Sequence, residues 1–180
     1  MIQNEREIRR QLVLQAANQM MIAARTAPKG KGIDIIEIAV VTEEDIRKLS
    51  EEMLKLASET GMKFLLRDAD NILSADAVLV IGTMQKTQGM NCAHCGYATC
   101  VEKPELVPCA INTVDLGIAI GSACATAADL RVDTRVMFSA GLAAQRLHIL
   151  GDCKCVMAIP VSASSKNPFF DRKPKEQPIG

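Results

Sequence analysis

Tryptophan is absent from the chain and tyrosine occurs once. Stacking platforms for bases or sugars are therefore scarce, and a core has to be built from Ala, Ile, Leu, Val and Met. A charge surplus is missing as well, since Lys and Arg together number 21 and Asp and Glu together number 21. Nothing then draws the protein to phosphate backbones over a distance, which argues against nucleic acid as a partner. No apolar run approaches the roughly 18 to 20 residues of a membrane span. The opening Met1-Ile2-Gln3-Asn4-Glu5-Arg6-Glu7 lacks the basic-then-apolar layout of a signal peptide, so the expectation is a cytoplasmic protein without membrane contact. Histidine is nearly missing too: His94 and His148 are the only two, and His148 falls in an expected helix among apolar neighbours. No Ser-His-Asp or Cys-His-Asp arrangement can be proposed with them, and hydrolytic chemistry is not expected.

Cysteine, by contrast, is concentrated. Four of the seven cysteines form Cys92-x2-Cys95-x4-Cys100-x8-Cys109, and four soft thiolates on one Gly-containing loop can converge on one centre. Either a tetrahedral zinc or a 4Fe-4S cluster suits that donor set. Zinc ribbons usually use two short C-x2-C knuckles, whereas a compact triplet with a remote fourth cysteine is the commoner cluster pattern. Gly96 supports the cluster by allowing a loop to turn its N–H groups inward; the plainer reading is a turn. His94, between two of the cysteines, reads as an exposed loop residue. In a reducing compartment an odd count of seven argues against a disulfide framework. Cys124 reads as a small core residue, while Cys153 and Cys155 form a C-x-C pair at a strand entrance, packed or a redox dithiol.

The pattern along the chain predicts one domain over residues 1–180. Ile8, Leu12, Ala16, Met20 and Ala23 recur at helical spacing from Glu5 to Ala27. Pro28-Lys29-Gly30-Lys31-Gly32 ends that helix, and Ile33 to Val41 reads as a buried strand. Thr42 looks like the N-cap of a helix running from Glu43 to about Glu59, with Gly61 as its stop. Ala77 to Gly82 should be a central strand, followed by the cysteine loop over 83–109. From Ala110 a helix carries Gly117, Gly121 and Ala125 on one stripe, which suggests tight packing against another backbone, across a dimer interface among other arrangements. Asp133 caps a further helix to about Leu150, Cys155 to Val161 is a last strand, and residues 162–180 form an extended tail with few apolar anchors.

Several of these motifs together resemble a family of prokaryotic ferredoxin-domain-containing proteins. They are the cysteine run, Asp115-Leu116-Gly117-Ile118-Ala119-Ile120-Gly121-Ser122-Ala123, Ala128-Asp129-Leu130-Arg131-Val132-Asp133-x-Arg135, and Ile159-Pro160-Val161-Ser162-Ala163-x-Ser165-Lys166-Asn167-Pro168-Phe169-Phe170-Asp171-Arg172. That resemblance implies a 4Fe-4S cluster on Cys92, Cys95, Cys100 and Cys109. The element order is also similar to the nitroreductase family, which implies an α+β fold: a central mixed sheet packed by helices, here with the cysteine loop inserted. It implies in addition a homodimer with FMN at the interface. The chain departs from the usual nitroreductase flavin loop, with Lys29 in place of Ser and Gly32 in place of Asn, and it lacks the Arg-Arg-Ser-x-Arg phosphate element. Lys29, Lys31, Lys166 and Arg172 are the residues left for an FMN phosphate clamp; a basic turn and a solvated tail are the plainer account of them.

Three functions follow from these readings. The first is an oxidoreductase in which the cluster passes single electrons to a flavin or a small substrate bound against the Gly/Ala helix. The second is a non-catalytic electron carrier or redox sensor, partnered by a redox protein or a small-molecule electron acceptor. The third is a zinc-stabilised interaction module.

Overall fold

The computed structural model describes residues 2–170. Helix α1 (Glu5–Thr26) opens with Asn4, whose side chain accepts from the Arg6 N–H, and with Glu5 and Glu7 in its positive first turn. Its buried face runs through Val13, Ala16, Ala17, Met20 and Ala24. Ala16 and Met20 of the expected stripe are on that face, whereas Ile8 and Ala23 are half-buried at its edge and Leu12 is exposed. The stripe is turned because α1 packs against a second helix as well as the sheet, and Ser122 Oγ of that helix donates to the Ala23 carbonyl at 2.8 Å.

A single 3-10 turn (Gly30–Gly32) leads into β1 (Ile36–Val41), followed by α2 (Glu44–Thr60) and α3 (Phe64–Ile72). Glu43, with φ 54°, is the N-cap of α2 in place of Thr42, whose carbonyl accepts from the Asp45 N–H. Gly61 ends α2 in the left-handed region, as expected of a C′ glycine. Strand β2 (Ala77–Thr83) is buried at every position. After the cysteine segment come α4 (Ala110–Asp129), β3 (Asp133–Thr134), α5 (Phe138–Arg146) and β4 (Lys154–Ser162).

The sheet has the order β1-β2-β4-β3, and every pairing among the described residues is antiparallel. A mixed sheet was expected; here the chain returns antiparallel from β1 to β2 through α2 and α3, and from β2 to β4 through the cysteine segment, α4, β3 and α5. Because strand side chains alternate, β2 divides the core in two. Val78 and Val80 face α2, α3 and α5, while Leu79 and Ile81 face α1 and α4. Helix α5 lies on β4 so closely that a Cβ at Gly141 would stand 2.1 Å from the Val156 carbonyl oxygen.

Three further expectations are corrected. Asp133 does not cap a helix; it pairs with Ser162 in the sheet, and its carboxylate accepts from the Ser164 N–H at 3.2 Å. The helix that follows ends at Arg146, which leaves His148 exposed in a turn at φ 52°. The segment after β4 is also anchored: Phe169 is fully buried, and its carbonyl accepts from Arg135 at 2.9 Å and Asn71 at 3.3 Å. Arg135 lies 3.6 Å from the buried Asp68 carboxylate, which in turn accepts from Ser139 Oγ at 2.6 Å.

Candidate metal centre

The segment between β2 and α4 contains neither helix nor strand. Its course is set by local backbone geometry, for Gly89, Asn91, Ala93 and Gly96 all have positive φ. Repeated left-handed residues give the loop its tight, irregular turns. A clasp closes the loop: Cys100 N–H donates to Asn91 Oδ1 at 2.8 Å, and Asn91 N–H donates to Cys100 Sγ at 3.4 Å. His94 is exposed, with its Nδ1 2.9 Å from the Cys92 carbonyl oxygen.

Cys92, Cys95, Cys100 and Cys109 all line one cavity, completed by Gln88, Tyr97 and Lys103 among others. Among the described residues no three Cys, His, Asp or Glu side chains close to the distance at which they could share one ion. The first three thiols are half-buried and Cys109 is buried. Cys109 occupies the N-cap position of α4, beside the N–H groups of the helix's first turn. Burial pushes the Cys109 thiol up, but the main-chain N–H groups of Gln88, Asn112 and Ile111, together with the Lys103 charge, outweigh it. The net position is below the ordinary thiol value. A donor set of four soft thiols around one cavity, one of them biased toward thiolate, fits an iron-sulfur group.

Gln88 carries no signal in the sequence. Its side chain is 3% exposed, and neither its Nε2 nor its Oε1 has a hydrogen-bond partner. Only tertiary burial distinguishes it from a polar loop residue.

Of the four basic residues named for a flavin phosphate, the three that the structure describes are not brought together at one point. Lys29 Nζ lies against the C-terminal carbonyls of α1, donating to Ala24 O at 3.0 Å and to Arg25 O, with 5% of its side chain exposed. It neutralises the negative end of that helix. Lys31 Nζ donates to the Gln88 carbonyl at 3.2 Å. Lys166 follows Ser164 and Ser165, which border the start of α1. The 22 residues of α1 separate that end from Lys29 by about 33 Å at 1.5 Å per residue. Arg172 lies outside the described residues. Within one chain, Lys29, Lys31 and Lys166 do not together form an FMN phosphate clamp. The turn that holds Lys29 and Lys31 is fixed instead by the Gly30 N–H, which donates to both Asp115 carboxylate oxygens at 3.0 Å. A Cβ at Gly30 would meet Ile111 Cγ2 at 2.6 Å, so this approach to α4 needs glycine.

The remaining thiols have a different setting. Burial pushes Cys124, Cys153 and Cys155 up. Cys124 packs at the edge of the α1/α4 core. Cys155 has φ 51° and lines a small cavity beneath Cys109.

Residues 106–172 match the family described as "uncharacterized protein containing a ferredoxin domain" (DUF2148). The matched stretch includes Cys109 and starts beyond the other three loop cysteines. A protein of Archaeoglobus fulgidus is 40% identical over 186 residues, spanning 98% of this chain and 100% of its own. The chain belongs to this ferredoxin-domain family. Its fold is that of the nitroreductases. A nitroreductase with bound FMN from Bacteroides fragilis superposes with a TM-score of 0.60 at 14% identity, covering 92% of this chain and 86% of that one. A nitroreductase with bound FMN from Desulfitobacterium hafniense gives 0.57 at 16%, covering 92% and 80%. A BluB-like flavoprotein from Clostridium difficile gives 0.57 at 16%, covering 92% and 85%. The ferredoxin-domain family thus stands here on an α+β, nitroreductase-like scaffold, and family and fold together point to a redox role.

Proposed function

We propose that this protein holds one 4Fe-4S cluster on Cys92, Cys95, Cys100 and Cys109 and serves as a one-electron carrier. The observation that carries the reading is that all four thiols line one cavity at the N-terminus of α4. When bound, such a cluster takes up and releases single electrons without bond making or breaking. The chain's own residues hold the site: the Asn91–Cys100 clasp fixes the loop, and the N–H groups around Cys109 favour its thiolate. One electron enters from a reduced redox protein and one leaves to a second protein or a small-molecule acceptor. FMN is left outside the proposal because the basic residues do not assemble around a phosphate within the chain.

The working form is a homodimer in the cytoplasm. Helix α4 leaves Val114, Gly117, Ile118, Gly121 and Ala125 exposed, and outside the helix's own backbone no atom of the described residues lies within 4 Å of a Cβ built at either glycine. By length and composition α4 could even cross a membrane, with a third of its apolar window buried. A second copy laid along this stripe would cover it. All seven cysteines are free, which agrees with a reducing compartment.

Anaerobic purification followed by iron, sulfide, zinc and flavin analysis tests the reading. Brown protein with four irons and four sulfides per chain is expected; colourless protein with one zinc overturns it. Release of FMN on acid extraction would restore the flavoenzyme reading. Sedimentation should give a dimer, reduced to a monomer by Gly121→Glu.

A further inference from the structure

Gln88 is the polar side chain whose surroundings are least explained by folding. Its main chain is fully used: the N–H is directed at Cys109, and the carbonyl accepts from Lys31 Nζ at 3.2 Å. Its side chain is not. The amide is buried at 3% exposure, borders the same cavity as the four thiols, and has neither donor nor acceptor satisfied. A buried primary amide with no partner destabilises a protein, and in native structures such a group is rare enough to call for an explanation. Replacing it by an apolar group of the same shape would remove that cost.

We propose that Gln88 is a positioning residue for the iron-sulfur group, its Nε2–H2 donating to a sulfur of the cluster and raising the cluster's reduction potential. This rests on the cluster reading above. Reduction adds one electron and makes the cluster more negative, and a donor aimed at sulfur stabilises that extra charge. The amide is neutral, so it gives this bias without a buried charge. Lys31 holds the Gln88 main chain in place from the Gly30–Gly32 turn, and Asp115 anchors that turn through the Gly30 N–H. The basic turn thereby acquires a role next to the cluster that needs no phosphate.

The experiment uses the full-length protein, free of cluster and anaerobically reconstituted with iron and sulfide, as wild type, Gln88→Met and Gln88→Asn. Methionine keeps length and volume but removes both polar atoms. In the cluster-free protein Gln88→Met should raise the thermal midpoint, because an unsatisfied amide has gone. In the reconstituted protein, titrated with dithionite as the one-electron reductant, Gln88→Met should lower the reduced-to-oxidised ratio at a fixed potential about tenfold, a shift of about 59 mV for one electron. Gln88→Asn, which keeps the amide, should lie between the two. A Gln88→Met protein that melts earlier or fails to fold shows the amide to be structural and overturns the inference. So does an unchanged potential in a variant that holds its cluster. A wild type that takes up no iron and sulfide overturns the cluster reading itself, an outcome distinct from either of these.

Discussion

The seven cysteines divide into two groups that share a side chain and differ in chemistry. Cys92, Cys95, Cys100 and Cys109 lie on a segment without regular structure, around one cavity, with main-chain N–H groups aimed at Cys109. Cys124, Cys153 and Cys155 lie on α4 and at the start of β4, where burial is the largest influence and pushes their thiols up, joined at Cys153 by the Glu37 and Asp152 charges against one Glu37 main-chain hydrogen bond. A thiol becomes a ligand or an inert packing group according to whether dipoles or hydrocarbon surround it. The difference teaches that reactivity here is assigned by the loop's backbone rather than by residue type.

The hardest test of that division is ligand removal. Cys109→Ser should abolish the brown colour and the bound sulfide after reconstitution, while Cys124→Ser should keep both; equal losses would erase the distinction between the groups. Next in size is a disturbance confined to the packed side. Gly141→Ala forces a Cβ against the Val156 carbonyl beside Cys155, and it should cost about 3 kcal/mol or more in urea unfolding. Stability unchanged by Gly141→Ala would mean that α5 does not seat on β4 as described.

On the loop side the expected effect is smaller and of opposite sign. Ala93 has φ 59°, a conformation that costs an L residue roughly 1–2 kcal/mol. Ala93→Gly should therefore stabilise the protein, by less than that because glycine also gains freedom in the unfolded chain. Destabilisation in the same urea assay would show that the Ala93 methyl is needed. The smallest effect concerns pH. Burial, together with the Glu37 and Asp152 charges, raises the Cys153 thiol above the ordinary thiol value of 9.0, so the folded state prefers the protonated form. Its contribution is fully present below the unfolded value and is lost as pH rises through the folded one. Stability should fall on the alkaline side of 9.0, and Cys153→Ala should flatten that limb; a limb of unchanged slope would assign the loss to other groups.

Much of the architecture was legible because it is periodic. The run Ala77 to Gly82 is apolar at strand length and became the buried central strand, and Gly61 ended α2 where a left-handed residue was needed. The exact face of α1 was not legible, since Leu12 and Val13 are both apolar and only the crossing with α4 selects between them. Asp133 was misread as a cap because two residues of strand carry no period, and their pairing partners lie about thirty positions away. Phe169 looked like part of an extended tail for a similar reason: its anchors, Arg135 and Asn71, are remote in sequence. In the candidate site the cysteines themselves were visible from their spacing. The four basic residues were visible too, but chemical type is silent on separation, and α1 keeps Lys29 and Lys166 at opposite ends.

What the sequence determined by itself is therefore the supply of parts: seven thiols with four at cluster-like spacing, a balanced charge, and periods of two and of three to four that specify strands and helices. Those properties are local, and a chain carries them folded or unfolded. Only the tertiary structure decided which thiols face one cavity, which N–H groups bear on Cys109, and that the Gln88 amide is buried without a partner. Burial, dipole direction and convergence depend on residues far apart in the chain. They come into existence only when the loop after β2 is held against the start of α4.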